Sequence, residues 1–415
     1  MTRRLLTWAT TAPLGRALVA SALALELVAV VVAIAGDVGP FADNDADIYV
    51  AATRGWWAGD SLYDFRNLGG FGFTYPPFAE LVVSLVAWLP GRLAGDAFQV
   101  AAVGSALLCV AVVLRADRER LLPVRWLWCV LSATLLLAYP VFRGYSSGQI
   151  DLVLILAVTL DVLLLARTRW AGVLIGVAIA VKLTPAVFLL LFLATGRWRA
   201  FGTALATALA CTGLGWLANP AGSREFWTER LWDTSNVGAQ TAALNQSLAA
   251  VVARFTSPVD GQVAGAGLVA WLVLAVVLVV AAWVALRHAD LDMRGTEALV
   301  LTAVLGLLIS PISWLHHWAW LCVFVPFLCL RWLASGSGSG WAWVLGLSAF
   351  VASIPPWWLL GGYFESLQVW RSWGNLVGSV MVWWGLALFA FVWLGLRPIR
   401  RSNVSPAPGA AARPG

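Results

Sequence analysis

Residues 167–199 read RTRWAGVLIGVAIAVKLTPAVFLLLFLATGRWR, an apolar run from Trp170 to Gly196 flanked at both ends by arginines and broken at Lys182-Leu183-Thr184-Pro185. A spanning helix needs roughly 20 apolar residues to cross about 30 Å of hydrocarbon, and arginine-rich ends belong on the cytoplasmic face. A run that starts and ends on the same face must turn. The segment is therefore predicted to be a hairpin of two short helices with Lys182 near its tip, where the backbone break lines a cavity rather than lipid.

Working outward, the same sidedness fits most other basic groups. Arg115, Arg118, Arg120 and Arg125, Arg287 to Arg294, Arg331, and Arg397, Arg400 and Arg401 all fall inside if Phe78 to Pro90 is too short to cross and Ala97 to Leu114 does cross. The first apolar run, Ala17 to Ala35 after Arg3, Arg4 and Arg16, is longer than the roughly 7–15 residues of a signal-peptide core, so it reads as an uncleaved span. Both termini are then cytoplasmic. The external segments are Asp37 to Pro77, Arg143 to Gln149, Asn219 to Ala264, Ser310 to His317 and Gly361 to Asn375.

Composition agrees with a membrane chain. Of 415 residues, 61% are hydrophobic and 12% charged, with 26 tryptophans, against about 25% charge in ordinary soluble domains. The expected fold is an all-α polytopic bundle of roughly 10–13 transmembrane helices, a single membrane domain over residues 1–401 followed by a disordered cytoplasmic tail, 402–415, rich in Pro, Ala and Gly. The net charge of +6 is scattered beside apolar runs, which orients a membrane protein among its lipids and gives no nucleic-acid footprint. The five cysteines lie in or beside apolar segments without metal-like spacing and read as packing residues.

Polarity gathers in the external segments. The intramembrane ionisable candidates are Glu26, Asp151, Asp161, Lys182 and Glu297, with Asp151 at an external helix end. A proton relay or coupled transporter would place such groups at mid-depth on several spans, so a site at the external surface is favoured. The acidic loop carries Asp43, Asp45, Asp47, Asp60 and Asp64; a partly desolvated aspartate there suits general-base work, and a solvated acidic loop is the plain alternative. Lys182, the only lysine, either meets an anion or extends to the interface. His316 and His317 can orient or protonate a phosphate or hydroxyl, or belong to the aromatic belt. The amides of Asn245 and Gln246 suit either sugar hydroxyls or helix capping. No nucleotide-binding motif is present, so group transfer would draw on a donor dissolved in the membrane.

The ordered motifs Asp45-Ala46-Asp47-Ile48-Tyr49, Gly59-Asp60-Ser61-Leu62-Tyr63, Phe73-Thr74-Tyr75-Pro76-Pro77-Phe78, Ser147-Gly148-Gln149, Val181-Lys182-Leu183-Thr184-Pro185, Asn245-Gln246-Ser247-Leu248 and Ser310 to His317 resemble the actinobacterial polyprenyl-phosphate-mannose-dependent α-(1,2)-mannosyltransferases. That resemblance implies the C-type membrane glycosyltransferase fold, with a catalytic first external loop. It also implies inverting transfer of mannose from polyprenyl phosphate mannose to a glycolipid acceptor such as a phosphatidylinositol mannoside, lipomannan or lipoarabinomannan. It places the catalytic base at Asp45, with Asp47 in competition. His317, Lys182, Arg143 and His316 would act at the donor phosphate, and Tyr75, Gln149, Asn245, Gln246 and Trp314 at the sugar and acceptor. The site would face the periplasmic side of the plasma membrane. No cofactor is implied beyond the lipid-linked donor as substrate, although a divalent metal bridging Asp43, Asp45 and Asp47 to phosphate is a further option. The rival readings are an arabinofuranosyl or glucosyl transferase using a related donor, a lipid or polyprenol transporter, and a structural scaffold.

Overall fold

The computed structural model describes residues 45–67, 70–90, 93–116, 124–232, 237–258, 261–334, 340–354 and 373–396. The predicted first span at residues 17–35, Asp43, Arg118 and Arg120, most of the segment 361–375 and the tail lie outside these residues. In chain order the helices are α1 (Asp45–Trp57), α2 (Phe78–Ala87), α3 (Leu93–Ala116), α4 (Val124–Leu136), α5 (Tyr139–Ser146) and α6 (Asp151–Leu160). They continue with α7 (Val173–Val181), α8 (Val187–Ala194), α9 (Trp198–Ala218), α10 (Pro220–Glu225), α11 (Leu248–Thr256) and α12 (Gly265–Leu286). The last are α13 (Leu291–Ile309), α14 (Leu321–Ala334), α15 (Gly340–Ala352), α16 (Trp373–Gly378) and α17 (Val380–Leu396).

Among the described residues, four helices are long and apolar enough to cross a membrane, and a fifth if α4 and α5 count as one span bent by 73°. Shorter apolar helices and breaks accompany them. Pro140 opens α5 after the bend, Lys182 divides α7 from α8, and a short 3-10 turn, Leu315–Trp320, precedes α14. Each interruption frees backbone polar groups, which are tolerated at membrane depth only beside protein or a wet cavity. The ten-residue α2 spans about 15 Å and cannot cross.

The centre of the bundle is α13, in which Ala298 to Leu305 are buried on every side, the pattern of a fully enclosed helix. It packs against α8, α12, α14 and α17. By contrast α12 leaves Val269, Val273, Val276 and Val277 exposed, an apolar face suited to lipid.

The hairpin is present, with its legs splayed. A Cβ added at Gly172 would come within 2.2 Å of the Ala200 carbonyl oxygen, and one at Gly176 within 2.5 Å of that of Ala204. Residues advancing together along both helices mean that α7 and α9 run parallel, in the close contact that small residues permit. The intervening α8 must therefore return toward the start of α7, and it packs on α13. At the feet, Arg197 Nη1 donates to the Ala166 carbonyl at 2.6 Å, and Asp292 Oδ1 meets Arg197 Nη2 at 2.8 Å and Arg167 Nε at 3.0 Å. Glu297, which pairs with Arg331 at 3.2 Å, lies at this same basic end. Asp161 reaches the start of α7, where its carboxylate accepts from Gly172 N and Ile175 N at 2.7 and 2.9 Å. That carboxylate is a helix cap, held by the exposed amides and positive end of the dipole.

Candidate active site

At the end of the bundle away from the basic feet lies a cavity of about 380 Å³. Its wall takes Asp45 and Tyr49 from α1, Tyr75 from the segment before α2, Arg143 from α5, Gln149, Lys182, Trp314, His316 and His317. Local sequence puts these side chains there. Asp45 opens α1, and the Ala46 N–H donates to the Ser147 carbonyl at 3.2 Å, fastening the helix start to the corner after α5. That corner turns at Gly148 with φ of 62°, a conformation that favours glycine, and delivers Gln149 beside Asp45. Arg54 at the other end of α1 donates to the Ala87 and Leu89 carbonyls at 2.9 and 2.6 Å, satisfying the last turn of α2.

Gln149 Nε2 donates to Asp45 Oδ2. Its Oε1 accepts from the Tyr49 hydroxyl at 3.0 Å and the Tyr75 hydroxyl at 3.3 Å, and the two hydroxyls are 2.8 Å apart. Burial pushes the Asp45 carboxyl up to about 6, against the opposing pull of Arg143, the Gln149 hydrogen bond and Lys182. A carboxylate so placed is mostly ionised at neutral pH and is a far stronger base than a solvated aspartate.

Lys182 Nζ donates to Asp151 Oδ1 at 2.7 Å, lies 3.2 Å from His317 Nε2 and sits 5.2 Å from the centre of the Tyr75 ring. An ammonium has protons and no lone pair, so His317 accepts through Nε2 and carries its own proton on Nδ1. The other Asp151 oxygen, Oδ2, is buried without a hydrogen-bond partner among the described residues and stands 3.9 Å from Nε2 of both His316 and His317. These three residues have the ligand types and proximity to hold a divalent ion. The ammonium already contacts two of the three, however, and an ion there would lie beside a second cation.

Other residues fall elsewhere. Asp47 is exposed and does not line the cavity, being two residues along α1 from Asp45 and so on another face. Asn245 and Gln246, expected to hold sugar hydroxyls, are fully buried and bond to the protein itself. Asn245 Nδ2 donates to the Gln240 and Pro311 carbonyls at 3.1 and 3.2 Å, and its Oδ1 accepts from Ser313 N at 2.9 Å. Gln246 Nε2 donates to the Ala243 and Gly378 carbonyls at 2.8 and 2.7 Å. Together they brace the segment carrying Trp314, His316 and His317, and Ser247 caps α11.

Three contributors were not assigned a role from sequence. Tyr49 lies one helical turn from Asp45, a spacing that already places both on one face. Asp151 was noted only as an ionisable group at a helix end, and its partner Lys182 is 31 residues away. Arg254 is 2% exposed and donates to the carbonyls of Thr241, Ala242 and Asn245 and to Ser379 Oγ, fastening the loop that carries the bracing amides. Nothing in its position at the end of α11 distinguishes it from a solvated arginine.

A family model described as Glycosyltransferase family 87 matches residues 73–311. The chain is 33% identical over 370 residues to the polyprenol-phosphate-mannose-dependent alpha-(1-2)-phosphatidylinositol mannoside mannosyltransferase of Mycobacterium tuberculosis, covering 83% of each chain. It is 31% identical over 382 residues to the protein of the same name from Mycolicibacterium smegmatis, covering 84% of this chain and 83% of that one. It is 30% identical over 371 residues to a polyprenol-phosphate-mannose-dependent alpha-(1-2)-phosphatidylinositol pentamannoside mannosyltransferase of the same organism, covering 84% and 85%. No solved structure matches the chain. With a family model spanning more than half of its length and relatives aligned over most of it, this multi-pass membrane chain belongs to glycosyltransferase family 87.

Proposed function

We propose that the protein transfers mannose from polyprenyl phosphate mannose to a phosphatidylinositol mannoside or longer mannan glycolipid, forming an α-1,2 linkage with inversion. The observation that carries this reading is one cavity lined by a half-buried carboxylate, Asp45, and by the cations Arg143 and Lys182. Asp45 takes the proton from an acceptor hydroxyl as that oxygen bonds to the anomeric carbon. The bond from that carbon to the phosphate oxygen breaks, its electron pair leaves with the polyprenyl phosphate, and the proton on Asp45 is later lost to water. A donor phosphodiester with one negative charge thereby becomes a monoester carrying two, and Lys182 and Arg143 offset the added charge where it develops. His317, protonated on Nδ1, orients the lysine. Attack opposite the phosphate of a β-linked donor gives an α product. Gln149 sets the base, and the Trp314 and Tyr75 rings offer stacking faces to sugar.

A second, apolar groove runs from Asp151 and His317 between α6, α8 and α13, lined by Leu154, Val158, Phe188, Ala303 and Leu307. It suits the prenyl chain of a donor whose phosphate rests at Lys182. The basic feet of the hairpin at the far end of the bundle, taken with the positive-inside rule, support an external, periplasmic orientation of the cavity at the plasma membrane.

The donor sugar is tested with membranes holding the protein or an empty vector, supplied in turn with radiolabelled mannosyl, arabinofuranosyl and glucosyl polyprenyl phosphates. Protein-dependent label in glycolipid is expected from the mannosyl donor alone. Label from the arabinofuranosyl or glucosyl donor instead would replace mannose in this reading, and labelled donor crossing vesicles without transfer would favour a transporter.

A further inference from the structure

The hydrogen bonds around Gln149 decide which way its amide faces. The Lys182 ammonium can only donate, and it does so to Asp151 and His317 while lying 5.2 Å from the centre of the Tyr75 ring. Each tyrosine has one hydroxyl proton to donate. The Tyr49 hydroxyl directs its proton to Gln149 Oε1, and the Tyr75 hydroxyl faces both Tyr49 and Gln149 Oε1. Two hydroxyl protons serve three contacts, so at least one of them reaches Oε1, and the Gln149 amide is left with its nitrogen toward Asp45. Reversed, the amide would set its oxygen against a carboxylate, a repulsive contact in a buried site.

Resting on the transfer chemistry proposed above for the task of Asp45, we propose that the Tyr75 and Tyr49 hydroxyls hold the Gln149 amide in the orientation favouring ionised Asp45. Tyr49 is thus a positioning residue for the base. Packing makes the arrangement rigid. The Tyr49 ring has edge contacts with Phe73 and Phe98 at 6.3 and 6.2 Å between centroids, and the Tyr63 hydroxyl donates to the Tyr75 carbonyl at 2.8 Å.

Asp45 is also faced by Arg143 from α5, Lys182 from the hairpin tip and Asp151 from α6, while His316 and His317 line the same cavity and Asp47 on its own helix is exposed. The test leaves all of these charges in place. Tyr49→Phe and Tyr75→Phe each remove one hydroxyl and keep the ring, and the double variant removes both. With the amide free to turn over, the acid limb of transfer should move to higher pH by about one unit in the double variant, a tenfold loss of ionised base at a fixed acidic pH. Each single variant should move it less, since one donor to Oε1 remains. A purely structural role would lower turnover at every pH and leave the limb in place.

The same quantity is read without any donor by infrared titration of the carboxyl stretch that disappears in Asp45→Asn. An upward shift of that band's midpoint in the double variant supports the positioning role of the two hydroxyls even if the donor proves not to be mannosyl. An unmoved midpoint and an unmoved acid limb would overturn it.

Discussion

Replacing Asp45 by Asn is expected to lower transfer by about 10²–10⁴-fold, the range that a positioned general base contributes. Asparagine has nearly the same shape, and its carbonyl oxygen can still accept from Gln149 Nε2, so the corner joining α1 to residues 147–149 should persist. Normal expression and unchanged thermal unfolding would show that it does. The pH dependence supplies an independent check. Burial raises the Asp45 carboxyl to about 6. The group acts as a base only when ionised, so the wild-type rate should be level above that pH and fall about tenfold per unit below it. The residual rate of Asp45→Asn should lack this limb. Asp47→Asn is the control: its side chain is exposed and outside the cavity, and a surface substitution of this kind should leave transfer within about twofold of wild type. If the two variants exchanged these outcomes, the base would be Asp47.

Lys182→Met is expected to have the second large effect, for two separable reasons. The ammonium and Asp151 are paired at 2.7 Å with side chains 11% and 10% exposed. Removing one member of such a pair leaves the other as an uncompensated buried charge, at a cost of about 3–5 kcal/mol. The variant should therefore unfold at a lower temperature, and it should also lose transfer because the phosphate meets one fewer cation. The combined Lys182→Met and Asp151→Leu protein separates the two effects. It has no orphaned carboxylate and should recover most of the stability, as replacement of a buried ion pair by apolar groups commonly does. Transfer should not return. Recovery of both would make Lys182 a partner of Asp151 and nothing more.

The hairpin was legible because arginines at 167, 169, 197 and 199 mark both ends of one apolar run, and charge placement relative to a membrane is a strong physical constraint. Its splay was not, since the contacts that separate the legs come from Ala200, Ala204 and α13, remote in sequence or beyond the run itself. The competition between Asp45 and Asp47 looked open from motif spacing alone, yet helical phase separates them. Residues 45 and 49 share a face and residue 47 does not. The amides of Asn245 and Gln246 illustrate a real ambiguity, because the same groups serve a sugar hydroxyl or a loop carbonyl equally well, and only the folded neighbours at Pro311, Ser313 and Gly378 decide. Asp161 resembled an intramembrane functional carboxylate until the amides at the start of α7 accounted for both of its oxygens. Where the helices break was not legible for a related reason. Polar breaks such as Lys182 and the bend before Pro140 shorten helices where the protein encloses the freed backbone, and enclosure is a property of the fold.

The most direct test of inverting mannosyl transfer in this cavity is the configuration of the bond it makes. Purified protein given anomerically pure β-linked polyprenyl phosphate mannose and a phosphatidylinositol mannoside acceptor should yield a single new α-1,2 linkage, assigned by the one-bond carbon–hydrogen coupling at the anomeric centre and by digestion with linkage-specific mannosidases. A β-linked product would mean retention, and would contradict Asp45 acting as the base of a single displacement.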